Sequence, residues 1–171
     1  RSYQADVLVL CHKPKQLDEV ARDVDGRARV VVSILAATST ESLARAYPGA
    51  SIYRFIPNIP AEVKRGVFCY VAGPGAAEGP EDDILELMGR TGTVIRLDDE
   101  PLIAPAMALM ACGPGFLALV AEKFAEAGAA HGLDPGDAMR MVVETMGGTA
   151  DYLAGHGYDG PALRARGGLP R

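Results

Sequence analysis

The chain has 171 residues, 49% of them hydrophobic, and a formal net charge of −5 at pH 7. That is enough apolar material for a buried core, in one domain or in a domain with a helical appendage. The acidic balance, with basic residues never more than two in a row, removes the electrostatic basis for binding nucleic acid or an acidic membrane, and neither partner is expected.

"ADVLVLC" (5–11) and "RVVVSIL" (29–35) are continuous apolar runs rich in β-branched residues, the pattern of strands buried on both faces, as in a parallel, doubly wound sheet. Between them "KQLDEVARDV" sets Leu17, Val20, Ala21 and Val24 on one helical face, so strand, helix and strand follow at crossover spacing. Thr38 and Glu41 form a capping-box pattern at the head of a helix "TESLARAY". "SIYRFI" predicts a third strand, "VFCYVAG" a fourth, "EDDILELMGR" a helix and "GTVIRL" (92–97) a fifth strand. "AGPGAAEGPED" (72–82) reads as a surface loop without a role. The alternation argues for an open α/β sheet.

After "LDDE" the texture changes. Residues 102–130 are rich in Ala, Met and Leu, interrupted at Gly113-Pro114-Gly115, where the proline predicts a kink. Asp134 with Pro135 marks a further helix start, and Ala138, Met139, Val142, Val143 and Met146 line that helix's apolar side. Helices this apolar need burial that a small sheet cannot supply, so an oligomerisation domain is expected. The predicted division is residues 1–97, a partial Rossmann-type unit, and residues 98–171, an all-α dimerisation unit. No apolar segment is expected to reach the roughly 20 residues of a bilayer span, and no secretory signal pattern is seen. Cys11, Cys69 and Cys112 predict reduced core thiols in a cytoplasmic protein. His12, His131 and His156 lie at no metal-ligand spacing, so no metal is expected. The start "RSYQ" and the end "GLPR" suggest a piece of a longer chain or unrepresented termini.

In open α/β sheets, ligands bind outside the carboxyl ends of the strands. Three such ends carry Cys11-His12-Lys13-Pro14, Leu35-Ala36-Ala37-Thr38 and Pro57-Asn58. Lys13 is either a ligand's counter-charge or a solvated cation. The small residues either admit a flat ligand or serve packing. Pro57 and Pro60 stiffen the loop that displays Asn58. No catalytic acid–base or nucleophile set can be assembled, which suits a reaction whose chemistry belongs to a cofactor.

"ADVLVLCHKP", "VVVSILAATSTESLARAYPGASIYRFIPNIPAEVKRG", "LMACGPGFLALVAEKFAEAGAAHGLDPGDAMRMVVETMGGTADYL" and "GPALR" together resemble the pyrroline-5-carboxylate reductase family over nearly the whole chain. The resemblance implies a Rossmann domain and a helical domain interlocked with a partner subunit, hence a homo-oligomer. It implies reduction of 1-pyrroline-5-carboxylate, a cyclic imine, to L-proline with NADPH or NADH. Cys11, His12, Lys13, Pro14, Ile34, Leu35, Ala36 and Asn58 would then line the cofactor, and Cys112, Gly113 and Pro114 the substrate. The family's G-x-G-x-x-G unit has no counterpart in these residues, so the 171 residues alone are expected to be inactive. Ala37 replaces a glycine of the family pattern, Cys112 a serine, and Gly115-Phe116 an Ala-Tyr pair. Arg166, Leu169 and Arg171 alter the segment before and around Pro170. The alternative class is a non-catalytic paralogue acting as a dimeric binding or regulatory module.

Overall fold

Strands form where β-branched and aromatic residues run together. The computed structural model describes residues 5–24 and 28–167. Its strands are β1 (Val7–Leu10), β2 (Val30–Ser33), β3 (Ser51–Ile56), β4 (Gly66–Ala72) and β5 (Gly92–Arg96). They lie in one sheet in chain order. The pairs β1–β2, β2–β3 and β4–β5 are parallel. Their connections carry α1 (Leu17–Asp23), α2 (Thr40–Ala46) and α3 (Glu81–Gly89). The open α/β sheet with helices is as expected, but one pairing is not: β3 and β4 run antiparallel, so the sheet is mixed rather than wholly parallel. A parallel return needs a crossover of about a dozen residues or more. The link between Ile56 and Gly66 holds only a loop and the 3-10 turn Ile59–Val63.

Alternate residues of the strands feed separate clusters. Leu10, Val31 and Ile52 pack with Ala21 of α1 and Leu43 of α2. Val32, Tyr53, Phe55 and Phe68 pack with Ile84 of α3. Phe55 and Tyr70, directly opposite each other on β3 and β4, stack with ring centroids 4.9 Å apart. β5 opens on Gly92 because a Cβ there would lie 2.0 Å from the Gly66 carbonyl oxygen on the paired strand. The 72–82 loop is more than surface: Ala76 is buried, and its carbonyl accepts from the Tyr53 hydroxyl at 3.0 Å.

The head of α2 differs by one residue from its predicted cap. Ser39 is the cap, its Oγ accepting from Ser42 N at 3.1 Å. Thr38 is engaged elsewhere, donating its hydroxyl to Ala36 O at 3.2 Å.

Beyond β5 come the 3-10 turn Glu100–Leu102, α4 (Ile103–Ala106) and a π-helical turn Met107–Ala111. Then follow α5 (Gly113–Ala130), α6 (Pro135–Gly155) and α7 (Gly160–Arg166). Asp134 caps α6 as predicted, its Oδ1 accepting from Gly136 N and Asp137 N at 2.9 and 3.0 Å. Pro114 does not split a helix. It falls in the first turn of α5, where a missing N–H is tolerated, and the irregularity sits just before it, where Cys112 N donates to Met107 O at 3.0 Å. As a result Glu100–Ala130 is long and apolar enough to cross a membrane by length and composition, against the expectation that no segment approached that length.

The chain divides into two compact units, Arg1–Pro114 and Gly115–Arg171. The division falls later than the predicted 97/98 because Ile103 and Met110 pack on Ile56, Cys69 and Val71 of the sheet. The expectation of core thiols holds for Cys69 alone, whose thiol pKa burial pushes up. Cys11, just past the end of β1, and Cys112, in the bend before α5, are exposed.

Candidate functional site

β1, β2 and β3 are parallel and in register, Leu10 opposite Ser33 and Ser33 opposite Arg54, so their carboxyl ends reach one edge of the sheet. At the first end Cys11, Lys13 and Pro14 are exposed. His12 is half-buried with Nδ1 at 2.9 Å from Lys13 O. At the second, Ile34 N donates to Leu10 O at 3.1 Å, Leu35 turns into the core, and Ala36 is exposed. These two predicted stretches therefore lie side by side, with the small Ala36 methyl as the exposed side chain of the second.

The 33–38 bend is fastened by Ser33, which pattern reading missed, and by Thr38, which it assigned to a helix cap instead. Ser33 Oγ accepts from Leu35 N at 3.2 Å, and Thr38 donates back to Ala36 O. Hydroxyl residues at a strand end are the signal for such local turns. Between them Ala37 sits at φ 53°, in the left-handed region, which costs a non-glycine residue about 1 kcal/mol. Ala37→Gly is therefore expected to raise stability by about 1 kcal/mol, read as a higher urea midpoint with an unchanged m-value. An unchanged or lower midpoint would contradict the strain.

Asn58 follows β3 with extended backbone, φ −131° and ψ 165°. Its amide is engaged at both ends: Oδ1 accepts from Val67 N at 2.8 Å, and Nδ2 donates to Met110 O at 3.0 Å. Half-buried polar atoms seek partners within the fold, and here they join the loop after β3 to the start of β4 and to the π-helical turn. Cys112, Gly113 and Pro114 come immediately after that turn, so this unit gathers the predicted 11–14, 34–36, 58 and 112–114 segments within its own elements.

A third set was not foreseen. Arg54 lies in the middle of β3 with its side chain 9% exposed, and its Nη1 contacts Glu100 Oε1 at 2.5 Å. Thr40 N donates to the same oxygen and Thr40 Oγ1 to Oε2, both at 2.9 Å. Burial pushes the Glu100 carboxyl pKa up. The hydrogen bonds from Arg54 and Thr40, with the Arg54 charge, outweigh it and hold the group below the usual glutamate value. One arginine inside the apolar run "SIYRFI" was the available signal, because a charge there requires a partner. Of the altered 166–171 segment, Arg166 lies on α7 and donates to the Tyr152 hydroxyl at 2.6 Å. Leu169, Pro170 and Arg171 lie outside the described residues.

Residues 100–168 match the family model for pyrroline-5-carboxylate reductase dimerisation. The chain is 29% identical over 151 residues to the pyrroline-5-carboxylate reductase of Synechocystis sp., covering 87% of this chain and 56% of that protein. Against the enzyme of the same name from Corynebacterium melassecola it is 29% identical over 169 residues, covering 95% and 62%. The chain thus spans little more than half the length of the curated relatives it matches. A solved pyrroline-5-carboxylate reductase from Coxiella burnetii superimposes with a TM-score of 0.81 at 26% identity, over 88% of this chain and 57% of that one. The Plasmodium falciparum pyrroline carboxylate reductase with NADP bound shares the fold, with a TM-score of 0.77 at 21% identity over 87% and 58%.

Proposed function

The chain belongs to the pyrroline-5-carboxylate reductase family, and from that premise we propose that the full protein reduces 1-pyrroline-5-carboxylate, or a closely related cyclic imine, to the corresponding ring amine with NADPH or NADH. The observation that carries the reading is the gathering, in one compact unit, of two adjacent strand ends and the Asn58–Met110 link that leads to Cys112. The exposed Ala36 and the open Cys11–Pro14 turn suit a flat cofactor ring with a nearby cation, Lys13. A bound nicotinamide supplies the hydride. The chain's own part is to hold that ring along residues 11–14 and 34–36 and to present the imine near Cys112, Gly113 and Pro114. An imine carbon is already electrophilic, so orientation at about 3–3.5 Å is the main demand. We read the assembly as a cytoplasmic homo-oligomer without nucleic acid or membrane as partner.

Nicotinamide absorbance of the full-length protein, followed with imine and each cofactor, tests the reading. Oxidation of NADPH or NADH is expected only when the imine is present. Ala36→Leu sets bulk at the proposed cofactor edge and is expected to raise cofactor Kd about tenfold or more, equivalent to one lost close contact surface of about 1.4 kcal/mol. No turnover with either cofactor would favour the non-catalytic module, and unchanged Kd in Ala36→Leu would remove the cofactor path.

A further inference from the structure

We propose that Asn58 is a positioning residue: its side-chain amide supplies the hydrogen bond that Pro114 cannot make, and so fixes the π-helical turn that presents Cys112, Gly113 and Pro114. Met110 lies at the end of the π-helical turn, and in the α-helical spacing that α5 resumes its carbonyl would be served by the N–H of the residue four ahead. That residue is Pro114, which has no N–H. A carbonyl at a buried residue without a donor is costly, and Met110 is 8% exposed. Asn58 Nδ2 donates to it at 3.0 Å.

The other end of the amide explains why the residue is asparagine. Oδ1 accepts from Val67 N at 2.8 Å, which fastens the side chain to β4 and fixes which way the amide points. Aspartate would keep that acceptor but could not donate to Met110. Glutamine would add a methylene to a span already filled at both ends, and alanine would offer neither group. Pro57 and Pro60 hold the flanking backbone, so little freedom remains to be lost when the two bonds form. The two prolines, the asparagine and Pro114 thus act as one device across two segments distant in sequence. π-helical turns of this kind are frequent at functional sites.

The effect on turnover rests on the reductase reading; the effect on the turn does not. Amide exchange measured by NMR on the full-length protein separates them. In Asn58→Asp the Cys112 amide, which donates to Met107 O, is expected to exchange about tenfold faster, the scale of one lost hydrogen bond, while the Val67 amide is unchanged. Adding Pro114→Ala restores an N–H at position 114 and is expected to cut that acceleration to about threefold or less, a coupling only interacting positions show. Pro114→Ala alone is expected to speed exchange of the Asn58 side-chain NH2, because Met110 O then has a second donor; this holds the inference to account if Asn58→Asp does not fold. With imine, Asn58→Asp is expected to lower kcat about tenfold, read beside the change in amide exchange. Unchanged Cys112 exchange, a Val67 amide that loosens equally, or no relief from Pro114→Ala would each overturn the positioning role. If the wild type does not reduce the imine, the reductase reading falls, and the exchange data alone decide the inference.

Discussion

Placing aspartate at both Phe124 and Met141 is expected to raise the dissociation constant of the oligomer at least about a thousandfold, the sum of two lost anchor residues. These side chains are 66% and 55% exposed. With Leu117, Val120, Val142 and Met146 they line an apolar groove on α5 and α6. Contiguous apolar surface of this kind marks an interaction face, and the match of residues 100–168 to a dimerisation model supports the proposal that a second copy of the chain covers it. Sedimentation of the full-length wild type at micromolar concentration should show no stable folded monomer, and the double variant should lose the assembly. A well-behaved wild-type monomer would remove the oligomer proposal.

Glu100→Ala is expected to cost about 2–4 kcal/mol, because it leaves the Arg54 guanidinium buried without its counter-charge. The lower end allows for the Glu100 side chain being 30% exposed. Adding Arg54→Met should recover much of the loss, since the orphaned charge goes with it; a double variant no better than the sum of the singles would show the pair is uncoupled. The pair also sets an acid limit. The Glu100 carboxyl is held below its ordinary value in the folded state, so its contribution is complete above the unfolded value of about 4.3. It is lost as pH falls through the lower folded value. Glu100→Gln should flatten that part of the stability–pH curve; a curve unchanged from wild type would assign the acid sensitivity to other groups.

The strands were legible because their signal is local. "SIYRFI" is β3 residue for residue, and the other β-branched runs became strands with ends shifted by a few residues at most. The direction of β4 was legible in principle, since residues 57–65 are too few for a crossover, but composition alone does not display it. The Ser39 cap was hidden by a neighbour of the same chemistry, Thr38. At the candidate site, the loop positions were visible as prolines and small residues at strand ends. Partners were not: Asn58 with Met110 and Arg54 with Glu100 join residues far apart in the chain, and single-sequence periodicity carries no information about such pairs.

The antiparallel meeting of β3 and β4 bears on the order in which this molecule acquires its shape. Of the four strand pairings, it joins the segments closest in sequence, and the entropy of closing a loop rises with its length. Pro57 and Pro60 reduce the conformations available to that loop before any contact forms. Phe55 against Tyr70 then rewards the closure with a stacked aromatic contact as soon as the strands touch. The parallel pairs on either side must each wait for an intervening helix to be laid down. The two strands between which Asn58 sits are therefore the natural nucleus of folding, and the segment that later holds the π-helical turn in place is among the first to become ordered.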